Sequence, residues 1–398
     1  MSHLKESKLE FYFKNFQSNL DFKEFYKTSF NTQRNKKTKY ILENYSFLLS
    51  ENNFISDNIL VVDSIKGYLR ELTENALIIA DKIALEFLNN LYQLPIIMKN
   101  VYFIDEINSG DDLQKIINIA RKGNQLHLLA LGGGKTLDFA KFISLKSDEI
   151  LISIPSSLAT HVYASPKIHA LPPIKELGFE NTIDGESSHL TLLDIKLLNK
   201  LYQINPRLIL SGFGDLMAFI NARYDWEISS KIGKERYSKI VDESVGYIIS
   251  TLMNLDIKKP FKMWIEEYAF IQCLLCNITH WVGSAPASGA EHLFAKCIDE
   301  ELAFPPLHGE VVAMGVLIFC YIRNKEVNKV LLLLEKFNIS NSFKSLNINK
   351  IAVLNSLKNC LHEGKKKNRY TILNDLKLEP YFFENIINTM LDKKILKE

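Results

Sequence analysis

Asp215, His292 and His308 give this chain one carboxylate and two imidazoles, an oxygen-nitrogen-nitrogen set of the kind that holds one divalent metal and leaves a position for a substrate oxygen. They stand in three separated segments, Ser211-Gly212-Phe213-Gly214-Asp215-Leu216, Ser288-Gly289-Ala290-Glu291-His292 and Leu307-His308-Gly309-Glu310. Upstream, Gly132-Gly133-Gly134-Lys135 follows an apolar run and precedes a helix-period segment. Glycines at a strand-to-helix turn let the backbone approach a pyrophosphate closely, and the helix N-terminus offers its unpaired N–H groups. A metal centre with a phosphate-cradling turn points to nucleotide-dependent redox chemistry on an alcohol or ketone.

The local contexts sharpen these assignments. His292 falls in the first turn of a predicted helix, His308 at a buried helix start, and Asp215 at the opening of a helical run. His127, His169, His189 and His280 lack such surroundings and read as structural. The glycine turn is neither of two better-known phosphate motifs. A Walker A loop needs glycine where Leu129 stands, and the dinucleotide fingerprint needs one at Leu137. Asp81 closes an apolar strand, where a carboxylate can accept from a ribose 2′-hydroxyl and would repel a 2′-phosphate.

The elements that must position these residues divide the chain. Residues 1–57 read as a helical extension with a basic loop near 32–37. From 58 to 205, short apolar runs at 58–62, 76–81, 101–104, 126–130 and 150–154 alternate with helix-period segments such as 111–122 and 137–145. That alternation means a parallel sheet in an α/β domain. Beyond Asn205-Pro206 the pattern is almost wholly helical, so 206–398 is expected to be an all-α metal-binding domain. Ligands of parallel sheets bind beyond the strand carboxyl ends, which puts the expected active site in the cleft between the two domains.

Bulk composition bounds the function class. The 398 residues are 47% hydrophobic and 24% charged with a net charge of +2, so no global field favours nucleic acid or a membrane surface. No apolar run is long enough to span a bilayer, and the polar start Met1-Ser2-His3-Leu4-Lys5-Glu6 has no signal-peptide core. Five cysteines, an odd number set in apolar helical patterns, argue for a reducing, cytoplasmic setting without disulfides. Cys273-Leu274-Leu275-Cys276 has the spacing of a redox or zinc pair, yet it has no second pair and apolar flanks, so it reads as core. Cys297 sits beside Lys296 but points about 100° away around the helix and is not assigned as a ligand.

With these residues in view, the chain resembles the iron-dependent alcohol dehydrogenase and dehydroquinate synthase superfamily, and within it the sn-glycerol-1-phosphate dehydrogenases. The likeness rests on Gly132-Gly133-Gly134-Lys135-Thr136-Leu137-Asp138, on Gly212–Leu216 with Tyr224-Asp225-Trp226, on Pro286–His292, on Leu307–Glu310 and on Arg369–Leu373. It covers about residue 58 to near the C-terminus. The resemblance implies an α/β domain followed by a helical domain, with Asp215, His292 and His308 binding zinc or another divalent metal. It also implies that Gly132, Gly133, Gly134, Lys135, Thr136, Asp138, Ser156, Ser157, Ala159 and Ser165 hold NAD, with NADP as the alternative. The implied activity is interconversion of a small phosphorylated ketone, dihydroxyacetone phosphate or a relative, with its alcohol. A homo-oligomer is compatible with this reading.

The departures fall at substrate positions. His161 stands where the family usually has an aspartate, Lys296 where it usually has a histidine, and Ala285 where it commonly has an arginine. Lys296 lies at i+4 from His292 and so shares its helix face. Together with His161 it would make the pocket more positive and suit a phosphate or carboxylate. The alternative of a different class is a dehydroquinate synthase-like lyase, which uses the same metal and nucleotide but eliminates phosphate. A glutamate is the usual first ligand there, whereas this chain has Asp215 in a dehydrogenase-type context. A catalytically dead binding module is disfavoured by retention of all three ligands.

Overall fold

A computed structural model describes residues 53–56, 58–93, 100–123, 127–180, 182–366, 368–376 and 381–398. The chain forms two compact units. One contains the described residues up to Leu208 together with Lys258–Cys276, and the other contains Ile209–Ile257 and Asn277–Glu398.

The first unit is built on strands β1 (Asn53–Ser56), β2 (Ile59–Val62), β3 (Ala76–Ala80), β4 (Val101–Phe103), β5 (His127–Gly132), β6 (Leu151–Pro155), β7 (Lys167–His169), β8 (Thr182–Asp184) and β9 (Leu190–Asp194). Helices α1 (Leu69–Thr73), α2 (Lys82–Tyr92), α3 (Gly110–Arg121), α4 (Gly134–Ser147), α5 (Pro172–Glu176) and α6 (Ile195–Ile204) lie between and after them. Seven strands form one sheet in the order β1-β2-β9-β6-β5-β3-β4, with β7 and β8 as a separate pair. All neighbours in the large sheet are parallel except β1 with β2. Strands β3, β5, β6 and β9 are buried along their whole length, as a sheet covered on both faces requires. Ile78, Leu129, Ile152 and Leu192 belong to its core.

Caps set the helix starts. Asp81 accepts from the Ala84 N–H at 2.8 Å to open α2, and Asp194 accepts from Leu197 at 3.0 Å to open α6. Asp194 also accepts the Tyr92 hydroxyl, so one buried carboxylate joins two helices.

The second unit is helical: α7 (Arg207–Lys231), α8 (Lys239–Asn254), the end of α9 (Phe261–Val282), α10 (Ala290–Glu301), α11 (His308–Ile322), α12 (Val327–Lys336), α13 (Lys350–Lys366) and α14 (Phe382–Asp392). The first residues of α7 and the Phe261–Cys276 part of α9 cluster with the first unit. None of the five cysteines is in a disulfide, and all are buried. No helix among the described residues is long and apolar enough to cross a membrane.

The five expected strands are present within one or two residues; Leu126, read as a strand start, lies outside the described residues. The extension over 1–57 also lies outside them, apart from residues 53–56. Those four form strand β1 rather than helix, because they can pair antiparallel with the neighbouring β2. Strands β7, β8 and β9 were not foreseen from the sequence.

Candidate metal and nucleotide sites

The three expected ligands converge within the helical unit. One ligand atom from each of Asp215, His292 and His308 lies within 4.8 Å of the others. His292 Nε2 is 3.1 Å from Asp215 Oδ1, and His308 Nε2 is 4.0 Å from the same oxygen. A tetrahedral ion with bonds near 2.1 Å needs ligand atoms roughly 3.4 Å apart, so the set fits one small divalent metal. The donor chemistry, one carboxylate oxygen and two imidazole nitrogens, fits as well.

Glycines bring the ligands together. A Cβ on Gly214 would sit 2.1 Å from the Gly309 carbonyl oxygen, and one on Gly309 would sit 1.9 Å from that of Ser211. Helices α7 and α11 therefore touch backbone to backbone next to Asp215 and His308. A Cβ on Gly315 would meet the Glu291 backbone at 3.0 Å, which brings α10 and α11 equally close. Asp215 itself corrects one expectation. It lies well inside α7 rather than at a helix start, because Gly212 and Gly214 do not interrupt the helix and Gly214 serves the close approach to α11. His292 is in the first turn of α10 and His308 opens α11, as expected. The His308 side chain is 39% exposed, so that helix start is not buried; His292 is 20% exposed and Asp215 only 6%.

Electrostatics bind the cluster further. Burial opposes the charge on His292, but Asp215 and Glu291 push its imidazole up to about 9. Burial likewise opposes the Glu291 carboxylate, which His292, Asn221 and the Gly289 N–H nevertheless hold below the usual range. Burial pushes Asp225 up to about 7 against the pull of Arg323. Arg369 donates to the Ser288 carbonyl at 2.5 Å and to the Ser288 and Ser284 hydroxyls at 2.6 Å, fastening the segment that leads into α10. Sequence reasoning gave Asn221, Asp225, Glu291 and Arg323 no role. Their signal was polar residues on otherwise apolar helices, with Asn221 and Asp225 one turn apart on α7.

Lys296 shares the His292 face of α10, but its ammonium is not an open anion receptor. It pairs with Glu363 and lies 3.4 Å from Glu300. Burial works against its charge, and the two carboxylates hold it above the usual lysine range. The expected gain of positive charge at this position is thus offset within the helical unit.

The glycine turn occupies the place that the sheet topology marks for a ligand. From β3 the chain passes to β4 on one side and returns to β5 on the other, so connections diverge between β3 and β5. Such a switch point opens a crevice at the strand carboxyl ends. Asp81 directly follows β3 there, its N–H donating to the Leu131 carbonyl at 2.9 Å, and Gly132 ends β5 with Gly133 next. No side chain caps α4, leaving its first N–H groups to a ligand. A Cβ on Gly134 would approach Thr160 Oγ1 at 3.4 Å and Val162 at 3.7 Å, and one on Gly133 would approach Ser157 at 3.9 Å. The turn therefore runs beside the Ser157–Val162 stretch, and the uncapped helix start with its bare glycine backbone is the feature that fits a pyrophosphate.

Other expected nucleotide contacts have structural partners. Asp138 is 4% exposed and pairs with Lys141 at 3.2 Å; Lys141 in turn donates to the Lys167 carbonyl at 2.6 Å. Thr136 is buried beneath Gly132, where a Cβ would collide with its hydroxyl. Ser165 is buried and accepts from the Lys167 N–H, and Ser157 donates to the Leu208 carbonyl and accepts from Ala159. Lys135 is exposed, and Ser156 donates its N–H to Gly132 at 3.0 Å. His161 begins a short turn whose carbonyl accepts from Ala164 and Ser165.

Comparison with known proteins follows this geometry. Residues 61–172 match the family model of the iron-containing alcohol dehydrogenases. A glycerol-1-phosphate dehydrogenase [NAD(P)+] of Sulfolobus acidocaldarius is 30% identical over 285 residues, 69% of this chain and 77% of that protein. The enzyme of the same name from Metallosphaera sedula is 29% identical over 283 residues, with the same coverages. Among solved structures, sulfoacetaldehyde reductase from Bifidobacterium kashiwanohense in complex with NAD+ aligns with a TM-score of 0.56 at 14% identity, covering 80% of this chain and 94% of that one. A probable glycerol dehydrogenase from Sinorhizobium meliloti aligns at 0.53 and 16%, covering 75% and 87%. At these identities the structural likeness concerns the fold alone.

Proposed function

We propose that this chain, which belongs to the iron-containing alcohol dehydrogenase family, interconverts dihydroxyacetone phosphate or a closely related keto-phosphate with its alcohol. At the coarser level it is a metal-dependent, NAD(P)-linked polyol-phosphate dehydrogenase, as its glycerol-1-phosphate dehydrogenase relatives are named. The observation that carries the reading is the convergence of one buried carboxylate and two imidazoles at metal-ligating distances.

Asp215, His292 and His308 would hold a divalent metal, which would supply a Lewis acid for the carbonyl oxygen, and a reduced nicotinamide held at the glycine turn would supply the hydride. The chain's own residues do the positioning. Asp215 contributes a buried negative charge, and His292 and His308 direct Nε2 toward it. Zinc suits this oxygen-nitrogen-nitrogen set, with iron and other divalent ions as competitors. The Gly132–Gly134 turn and the uncapped start of α4 would cradle the pyrophosphate. Asp81 would meet the adenosine ribose with its carboxylate, which favours NAD over NADP. Because Lys296 is neutralised by Glu363 and Glu300, the substrate phosphate must find other donors; His161 remains the candidate among the substrate positions. Water or the nucleotide's ribose hydroxyl would supply the proton that completes the alcohol.

The test is a spectrophotometric screen of NADH and NADPH oxidation with zinc present. Dihydroxyacetone phosphate, larger keto-phosphates and unphosphorylated dihydroxyacetone are compared. A phosphorylated ketone should exceed dihydroxyacetone in kcat/KM by about 10-fold or more, because a site built for a polar group rejects the analogue lacking it. Equal efficiencies would contradict the phosphate assignment.

A further inference from the structure

We infer that Glu291 is a positioning residue for the metal centre: its buried negative charge holds the proton of His292 on Nδ1 and so strengthens the Nε2 lone pair aimed at the ion. The inference rests on the metal assignment made above but not on the substrate or on catalysis. Glu291 Oε1 lies 3.0 Å from His292 Nδ1, while Nε2 of the same ring faces Asp215. A ligating imidazole gains orientation and basicity when its second nitrogen donates to a carboxylate, and loss of that partner typically weakens metal binding.

The carboxylate is built into the interior. Glu291 is fully buried and accepts from three donors: His292 Nδ1, the Gly289 N–H at 2.6 Å and the Asn221 side-chain amide at 2.5 Å. Asn221 is oriented in turn, because its oxygen accepts from Arg323 Nε at 2.9 Å. Arg323 also pairs with Asp225, which accepts from the backbone N–H groups of Ala290 at 3.2 Å and Ile372 at 2.7 Å. Asn221, Arg323 and Asp225 are therefore each held by more than one bond, and helix α10 cannot rotate without breaking several of them.

His308 provides the contrast. Its Nδ1 lies 3.8 Å from Asp299, a carboxylate 41% exposed. That approach is too long for a hydrogen bond and is screened by solvent. The two imidazoles are thus held unequally, and the inference assigns the positioning role to Glu291 alone.

The experiment measures zinc affinity of the full chain by competition with a chromophoric chelator, beside the melting temperature of the metal-free protein. Glu291→Gln alone places an amide N–H against the Asn221 donor. The double variant Glu291→Gln/Asn221→Asp restores the bonding, since the new aspartate accepts from both the glutamine and Arg323 while the total charge is unchanged. What it removes is the negative charge beside His292. Glu291→Gln should weaken zinc binding by about 10- to 100-fold, and the double variant should regain melting temperature while affinity stays down by about 10-fold or more. Asp299→Asn should change affinity by at most about 3-fold. If affinity returns together with melting temperature in the double variant, or never falls, Glu291 is merely structural and the inference fails. A wild type without zinc would sink the metal assignment itself, a distinct outcome. Should the variants not fold, selectively 15N-labelled histidine in the zinc-loaded wild type decides: the inference requires the His292 proton on Nδ1, and a proton on Nε2 overturns it.

Discussion

Replacing Gly309 with alanine should empty the metal site by moving its walls, without touching a ligand. The added Cβ would lie 1.9 Å from the Ser211 carbonyl oxygen. A carbon-oxygen contact needs about 3.3 Å, so α7 and α11 must separate by roughly 1.4 Å at that point. Asp215 and His308 lie on those two helices, and their ligand atoms are already 4.0 Å apart. Two ligands with bonds near 2.1 Å can be at most about 4.2 Å apart on one ion. Even half the separation, directed along that line, exceeds the limit. The expected result is loss of bound zinc after dialysis and a fall in kcat/KM of about 100-fold or more. Overpacking also costs about 1–3 kcal/mol of stability. Gly246→Ala is the control, because a Cβ there meets nothing within 4 Å. Metal content by mass spectrometry and denaturant unfolding are read side by side. A Gly309→Ala protein with native zinc content and affinity would refute the argument that backbone contact sets the ligand spacing.

Three further outcomes are expected. Lys296→Met should leave KM for a phosphorylated ketone within about 3-fold, because Glu363 and Glu300 already hold that ammonium, while stability falls by about 1–3 kcal/mol because the buried Glu363 carboxylate loses this partner; a 10-fold rise in KM would restore Lys296 as the phosphate receptor. Wild type should favour NADH over NADPH, and Asp81→Asn, which keeps an acceptor for the Ala84 N–H, should narrow that preference in steady-state kinetics; equal use of NADPH by wild type would end the Asp81 assignment. Burial lowers the pKa of His127, whose Nε2 contacts the Leu72 carbonyl at 2.9 Å, so the unfolded chain takes up its proton before the folded one does. Its contribution is present above about pH 6.5 and is lost as pH falls, by at most about 1.4 kcal/mol per unit; urea unfolding at pH 7 and pH 5 should therefore show a smaller loss in His127→Gln than in wild type, and equal losses would contradict it.

Much of this was legible in the sequence because apolar runs and ligand types are local signals. The β5 run and the glycines after it announced a strand-turn-helix, and the two histidines stood at helix starts marked by Gly289 and Gly309. Asp215 misled because paired glycines ordinarily interrupt a helix, whereas here the helix runs through both and Gly214 lets two backbones touch, a tertiary fact that no local pattern carries. Lys296 misled for a related reason. Helical spacing gave its face correctly, but its partner Glu363 arrives from a helix much later in the chain. Asp138, expected in the nucleotide turn, has a buried partner in Lys141, one turn on, that the motif did not announce. Position along an element was readable, and the identity of the opposing element was not.

The central claim is that Asp215, His292 and His308 hold one divalent metal that the reaction requires. The most direct measurement is ketone-dependent NADH oxidation by the full chain before chelation, after removal of metal, and after stepwise return of zinc. The account predicts that activity vanishes on chelation and returns linearly to full value at one zinc per chain, and that His308→Ala neither retains the ion nor recovers. Undiminished oxidation by metal-free protein, or full recovery in His308→Ala, would contradict it.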